Sequence, residues 1–164
     1  MSIPPNTERP AGMPSPQGSQ AASAISIDLG GTDIKAGLLE SSGRIAAEKK
    51  IPTEAEGGPG HVMDRMADLV RAFIREFGHV EGVGIGVPGQ VMVETGVVCE
   101  APNLPGWKEI HAREEMRRRV DLPVTLDNDA NLAALGEFAF GAGRGAKEML
   151  MVTLGTGVGG GLIL

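Results

Sequence analysis

The chain has 164 residues, 41% of them hydrophobic, and a net charge of −6, which is enough for one ordinary domain with a buried core. Its Lys and Arg are scattered apart from the short run Arg117 to Arg119, so it offers no basic field to a phosphate backbone, which argues against a nucleic-acid partner. No run of about 18 apolar residues is present to cross a bilayer, no basic and apolar leader opens the chain, and the single cysteine, Cys99, has no internal disulfide partner; the expectation is a cytoplasmic protein with no membrane partner.

Residues 1 to 23 are rich in Pro, Ser, Gly and Gln and lack an apolar period, which predicts a disordered tail. Order is expected from Ala24, where Ile25, Ile27 and Leu29 alternate with Ser26, Asp28 and Gly30, the period of a strand. Gly30-Gly31-Thr32 is a tight turn into a second strand, Ile34 to Leu39, and Ser41-Ser42-Gly43 turns into a third over Arg44 to Ile51, an antiparallel meander. Between Gly60 and Phe77 the apolar residues Val62, Met66, Leu69, Val70, Phe73, Ile74 and Phe77 recur at helical spacing, with Gly78 as the stop; this stripe reads as core. Glu81 to Val87 alternates Val83, Ile85 and Val87 with Gly82, Gly84 and Gly86, a strand whose second face is bare backbone open to close approach. An irregular stretch through Trp107 leads to a helix predicted from Glu109 to Val120, a strand from Val124 to Leu126 and a helix from Ala130 to Phe140. Strands alternating with helices imply parallel strands joined by crossovers. Met149 to Leu154 and Val158 to Leu164 predict a hairpin, which cannot bury two faces alone and therefore calls for a partner surface, through truncation or an obligate second chain. The division is a tail (1–23), a mixed α/β lobe (24–147) and the first hairpin of a second lobe (148–164).

Four constellations can carry chemistry. Asp28-Leu29-Gly30-Gly31-Thr32 sets a carboxylate at a strand end before two glycines and a hydroxyl, a cradle for phosphate, although Gly-Gly is also what a hairpin turn favours. Leu154 to Gly161 repeats that logic around Gly155, Thr156 and Gly157, and the pair implies two loops facing one nucleotide. Asp127-Asn128-Asp129-Ala130-Asn131 lies between a strand end and a helix start; one residue there serves as a cap, and the surplus of polar groups points to substrate contact. Ala101 to Trp107 is a rigid loop in which Asn103 can bond a sugar hydroxyl while Trp107 packs.

Ile27 to Thr32, Gly86-Val87-Pro88-Gly89, Ala101 to Trp107, Asn128-Asp129-Ala130-Asn131 and Thr153 to Gly161 resemble, in order, the motifs of the ROK family of bacterial sugar kinases, glucokinases among them. The resemblance implies the ribonuclease-H-like lobe of the actin, hexokinase and Hsp70 fold, with a second lobe truncated here. It implies ATP and magnesium as cofactors, a hexose as substrate, and a homodimer as one assembly. Its phosphate loops would be Asp28, Gly30, Gly31 and Thr32, with Asp28 acting on magnesium through water, and Gly155, Thr156 and Gly157. Asp129 would be the catalytic base facing the sugar 6-hydroxyl, and Gly89, Asn103 and Asn128 would hold other hydroxyls. Asp33 departs from the Lys or Asn usual in the family and adds a negative charge beside the first loop. The family's Glu-Ile-Gly-His segment, its zinc motif and most of its adenine pocket would follow residue 164, so no zinc is expected in this chain. Two other readings stay open at this point: a sugar-sensing regulator of the same family, against which the Pro-rich residues 1 to 23 argue, and a catalytically silent fragment. Which hexose is used, and whether ATP or polyphosphate is the donor, is open as well.

Overall fold

The computed structural model describes residues 23–154 and 158–164, so the tail expected over 1–23 lies almost wholly outside the described residues. In chain order the elements are β1 (Ser23–Leu29), β2 (Asp33–Glu40), β3 (Ile45–Pro52), a single 3-10 turn (Ala55–Gly57), α1 (Gly58–Phe77), β4 (Val83–Val87), β5 (Gln90–Met92), β6 (Val97–Glu100), β7 (Lys108–Ile110), α2 (Ala112–Val120), β8 (Val124–Asn128), α3 (Asp129–Phe140), β9 (Met149–Leu154) and β10 (Val158–Ile163).

The principal sheet has five strands in the order β3-β2-β1-β4-β8. β1, β2 and β3 pair antiparallel, as the turn signals predict, whereas β4 joins β1 and β8 joins β4 in parallel. A parallel neighbour requires a crossover long enough to return the chain to the same end of the sheet, and α1 and α2 supply those crossovers. On one face of the sheet Ile25, Ile27, Leu29, Ile34, Ala36 and Leu38 meet Val62, Met66, Val70 and Phe73 of α1, all buried in one cluster. Each such large side chain taken fully out of water contributes roughly 1.5–3 kcal/mol before entropy is counted.

Two elements differ from the sequence expectation. The stretch read as irregular holds a small antiparallel sheet, β5-β6-β7, whose strands are three or four residues long, below the length at which alternation becomes visible. The helix expected from Glu109 starts at Ala112, because Glu109 sits in β7 with φ 53°, a left-handed conformation that no α-helix accepts.

The bare face of β4 is covered from within. A side chain at Gly86 would touch Asp129 Cα and Leu132 Cδ1, each at 3.5 Å, so the close approach invited by the glycine alternation is made by the first turn of α3. The hairpin β9-β10 packs on the same helix, with Gly159 against Ala130 and Gly161 against Ala134. Its opposite face carries Leu150, Val152, Leu154, Val158, Leu162 and Leu164, all 56–89% exposed, the unpaired apolar face anticipated for a hairpin.

Candidate functional site

Three parallel strands deliver their carboxyl ends to one place. Asp28 of β1 stands in register with Gly86 of β4, and Gly86 with Asp127 of β8. Because side chains alternate along a strand, Asp28 points to the face opposite Ile27 and Leu29, away from the α1 core. The crevice outside the carboxyl ends of parallel strands is where open α/β sheets receive ligands. Here it opens into a cavity of about 1550 Å³ bordered by Asp28, Lys35, Gly89, Asn103, Asn128 and Asp129, with Thr153, Val158 and Gly159 of the hairpin on its far wall.

The junction of β8 and α3 explains the density of polar residues. Asn128 is the helix N-cap: its Oδ1 accepts from Ala130 N at 3.0 Å and Asn131 N at 3.2 Å, satisfying two amides that a helix start leaves without partners. Its Nδ2 donates to Gly89 O at 2.9 Å and ties α3 to the β4-β5 turn. Asp127 Oδ1 accepts from Asn128 N at 2.6 Å and from Asn131 Nδ2 at 3.0 Å. Among the described residues the Asp129 carboxylate bonds only the neighbouring Ala130 N, at 2.7 Å, and it is exposed to the cavity. Of the four polar residues in this run, Asp129 is the one least committed to holding the junction together. Gly89 has φ +96°, and a Cβ there would lie 2.2 Å from Glu100 O, so only glycine lets the turn pass close enough for its carbonyl to meet Asn128.

Asn103, from the loop before β7, borders the cavity, and the β1-β2 turn adjoins that loop. The turn closes with Gly30 N donating to Asp33 O at 3.0 Å. Among the described residues neither Gly31 N nor Thr32 N has an acceptor, which leaves two amides for an anion. The Ala101–Trp107 loop closes on itself through Ala101 N to Trp107 O at 3.0 Å and Trp107 N to Leu104 O at 3.2 Å. Leu104 and Trp107 are each 2% exposed and anchor it, while Asn103 stays exposed at the cavity edge. Gly31 lies against this loop, since a Cβ there would meet Asn103 O at 3.0 Å.

Of the residues singled out from sequence, Asp28, Gly89, Asn103, Asn128 and Asp129 border the cavity together. Gly30, Gly31 and Thr32 form the adjoining turn without lining the cavity itself, and Gly155, Thr156 and Gly157 lie outside the described residues. Asp33 ion-pairs with Lys50 at 2.8 Å across β2 and β3, so its charge is compensated beside the turn. Sequence reasoning passed over Lys35, whose Nζ lies 3.5 Å from Asp28 Oδ2 on the cavity wall. The signal was present: a meander with so tight a first turn puts Lys35 directly across from Asp28. Among the described residues no three His, Cys, Asp or Glu side chains gather as a metal cage.

The ROK family profile matches residues 24–164. This chain belongs to the ROK family. It is 41% identical over 145 residues to the glucokinase of Halalkalibacterium halodurans and 40% identical over 141 residues to that of Streptomyces coelicolor, in each case covering 85% of this chain and 43% of the relative. Among solved structures it superposes on a ROK glucokinase from Streptomyces griseus in complex with glucose and AMPPNP at a TM-score of 0.74 and 40% identity, covering 87% of this chain and 45% of that one. A ROK hexokinase from Thermus thermophilus matches at a TM-score of 0.78 and 36% identity, covering 87% of this chain and 47% of that one. The chain thus spans less than half the length of these ROK relatives, and its sheet is the mixed α/β lobe of the actin and hexokinase fold.

Proposed function

We propose that this chain is the part of an ATP-dependent hexose kinase that holds the sugar and the first phosphate loop, with glucose as the first candidate substrate and the sugar 6-hydroxyl as the acceptor. The observation that carries the proposal is the shared cavity of Asp28, Asn103 and Asp129 at the carboxyl ends of three parallel strands.

In this reading Asp129, the uncommitted carboxylate at the start of α3, orients the 6-hydroxyl. As the oxygen–phosphorus bond forms and the bond from the γ-phosphorus to the bridging oxygen breaks, the hydroxyl proton passes to the Asp129 carboxylate and nucleoside diphosphate leaves. A loose phosphoryl transition state asks for in-line positioning and charge neutralisation rather than a strong base, so an exposed aspartate is adequate. Asn103 presents an amide to a second hydroxyl from a loop whose anchors are buried. Gly89 and Asn128 serve the same site by fixing the first turn of α3 against the β4-β5 turn.

The free amides of Gly31 and Thr32 and the Lys35 ammonium suit the phosphates of the donor. One carboxylate, Asp28, faces the cavity from the phosphate side, and this fits magnesium, which is usually held by one or two carboxylates together with substrate phosphates; bound there, the ion would neutralise charge on the phosphate oxygens. ATP use is supported by the AMPPNP complex of the Streptomyces griseus relative.

The test is a coupled assay of the purified chain with Mg-ATP and glucose, mannose, N-acetylglucosamine or fructose, beside Asp129→Ala. Phosphorylated glucose that falls by at least about a hundredfold in the variant supports the assignment. Turnover unchanged in Asp129→Ala overturns the role given to Asp129; a folded chain that neither phosphorylates nor binds any of the sugars overturns the claim that it holds the hexose, whereas binding without turnover fits a site that a second lobe completes.

A further inference from the structure

Thr53 follows β3 directly and is the one polar residue of the described chain that is fully enclosed, at 0% exposure. Nothing in the sequence pattern marked it. Its Oγ1 donates to Gly30 O at 2.7 Å, and its backbone N donates to Thr32 O at 2.8 Å. A valine would fill the same volume without the cost of burying a hydroxyl, so packing alone does not account for a threonine there. The two bonds end on the turn that carries the unpartnered amides of Gly31 and Thr32.

The geometry of the peptide unit gives those bonds a consequence. The Gly30 carbonyl and the Gly31 N–H belong to one planar trans peptide and point in opposite directions. Drawing the carbonyl inward onto Thr53 Oγ1 therefore turns the Gly31 amide outward. On its other side the Gly31 backbone rests on Asn103 O, so the turn is held between Thr53 and the Ala101–Trp107 loop.

We propose that Thr53 is a positioning residue for the nucleotide: its hydroxyl locks the Gly30–Gly31 peptide plane so that the amide meets a phosphate oxygen already aligned. This rests on the kinase reading above. A pre-aligned donor spares the bound state the cost of ordering the turn, and one such hydrogen bond corresponds to about a tenfold change in affinity.

The test uses Thr53→Val, which keeps the shape and removes the hydroxyl, and Thr53→Ser, which restores it, with Thr53→Ala standing in if the valine variant does not fold. Mg-AMPPNP and glucose are titrated separately into the labelled chain, and dissociation constants are read from amide shifts. The expected result is nucleotide binding weakened about tenfold in Thr53→Val with glucose binding within twofold of the parent, and recovery to within about threefold in Thr53→Ser. Unchanged nucleotide affinity in a folded Thr53→Val, equal weakening for both ligands, or a serine variant no better than valine overturns the positioning role while leaving the kinase reading in place. A parent chain that gives no nucleotide-dependent shift at Gly31 or Thr32 overturns both, and is told apart from failure of the brace alone by the parent spectra.

Discussion

Replacing Asn128 separates two jobs that one side chain performs. In Asn128→Ala the α3 N-terminus loses the acceptor for Asn131 N, Ala130 N keeps only Asp129 Oδ1, and Gly89 O loses the donor at 2.9 Å. Loss of an N-cap costs about 0.5–2 kcal/mol, and a part-buried carbonyl left without its donor costs about 1 kcal/mol more. Together the change is about 1.5–3 kcal/mol, roughly 3–12 °C in Tm for a chain of this size. Asn128→Ser keeps an oxygen for the cap and drops only the tether to Gly89, so it should lose about 1 kcal/mol. Urea unfolding read by the fluorescence of Trp107, the single tryptophan and 2% exposed, measures both variants. Refutation would be an alanine variant within about 0.5 kcal/mol of the parent, or serine and alanine variants that are equally unstable, since the first denies both bonds and the second denies that they are separable.

Gly89→Ala should cost at least about 2–3 kcal/mol, because it combines a strained φ of +96° with a Cβ 2.2 Å from Glu100 O; thermal melting checks it, and a variant as stable as the parent would deny the close approach. The apolar face of the β9-β10 hairpin should bind a hydrophobic dye, and Leu150→Lys with Leu154→Lys should abolish that binding while leaving the urea midpoint unchanged, as both side chains are more than 70% exposed. Glu115 sits below the usual carboxylate range, chiefly through its hydrogen bond with Arg119, which also bonds Asp64 of α1 at 2.8 Å. A carboxylate with a depressed folded-state pKa stabilises the protein above its unfolded value and loses that contribution as pH falls through the folded one. Glu115→Gln should therefore narrow the gap to the parent as acid unfolding is followed downward through the carboxylate range, and a constant gap would contradict this.

Long alternating or helical patterns announced the frame of the fold. Ile25, Ile27 and Leu29 gave β1 because one face packs on α1, and the stripe from Val62 to Phe73 gave that helix because the same cluster buries it. The β5-β6-β7 sheet was illegible for a physical reason: pairs such as Val98 with Ile110 are specified by partners on another strand, and three-residue strands carry too little local pattern to reveal them. Likewise the glycines of β4 announced a close approach without saying to what, and the answer was α3. In the site, motif-bearing positions such as Asp28, Asn103 and Asp129 converge on one cavity, while Lys35 and Thr53 escaped notice because their roles depend on cross-strand register and on a buried hydrogen bond. Asn128 shows the converse: much of the polarity that marks the 127–131 run is spent on capping and tethering.

The most direct test of the account is a glucose titration of the labelled chain followed at every backbone amide. The account predicts saturable shifts concentrated at Gly89, Asn103 and Asp129, around the cavity at the carboxyl ends of β1, β4 and β8, and their loss in Asp129→Ala. No saturable shift in a folded chain, or shifts confined to the exposed face of the β9-β10 hairpin, would contradict the claim that this cavity is a hexose site.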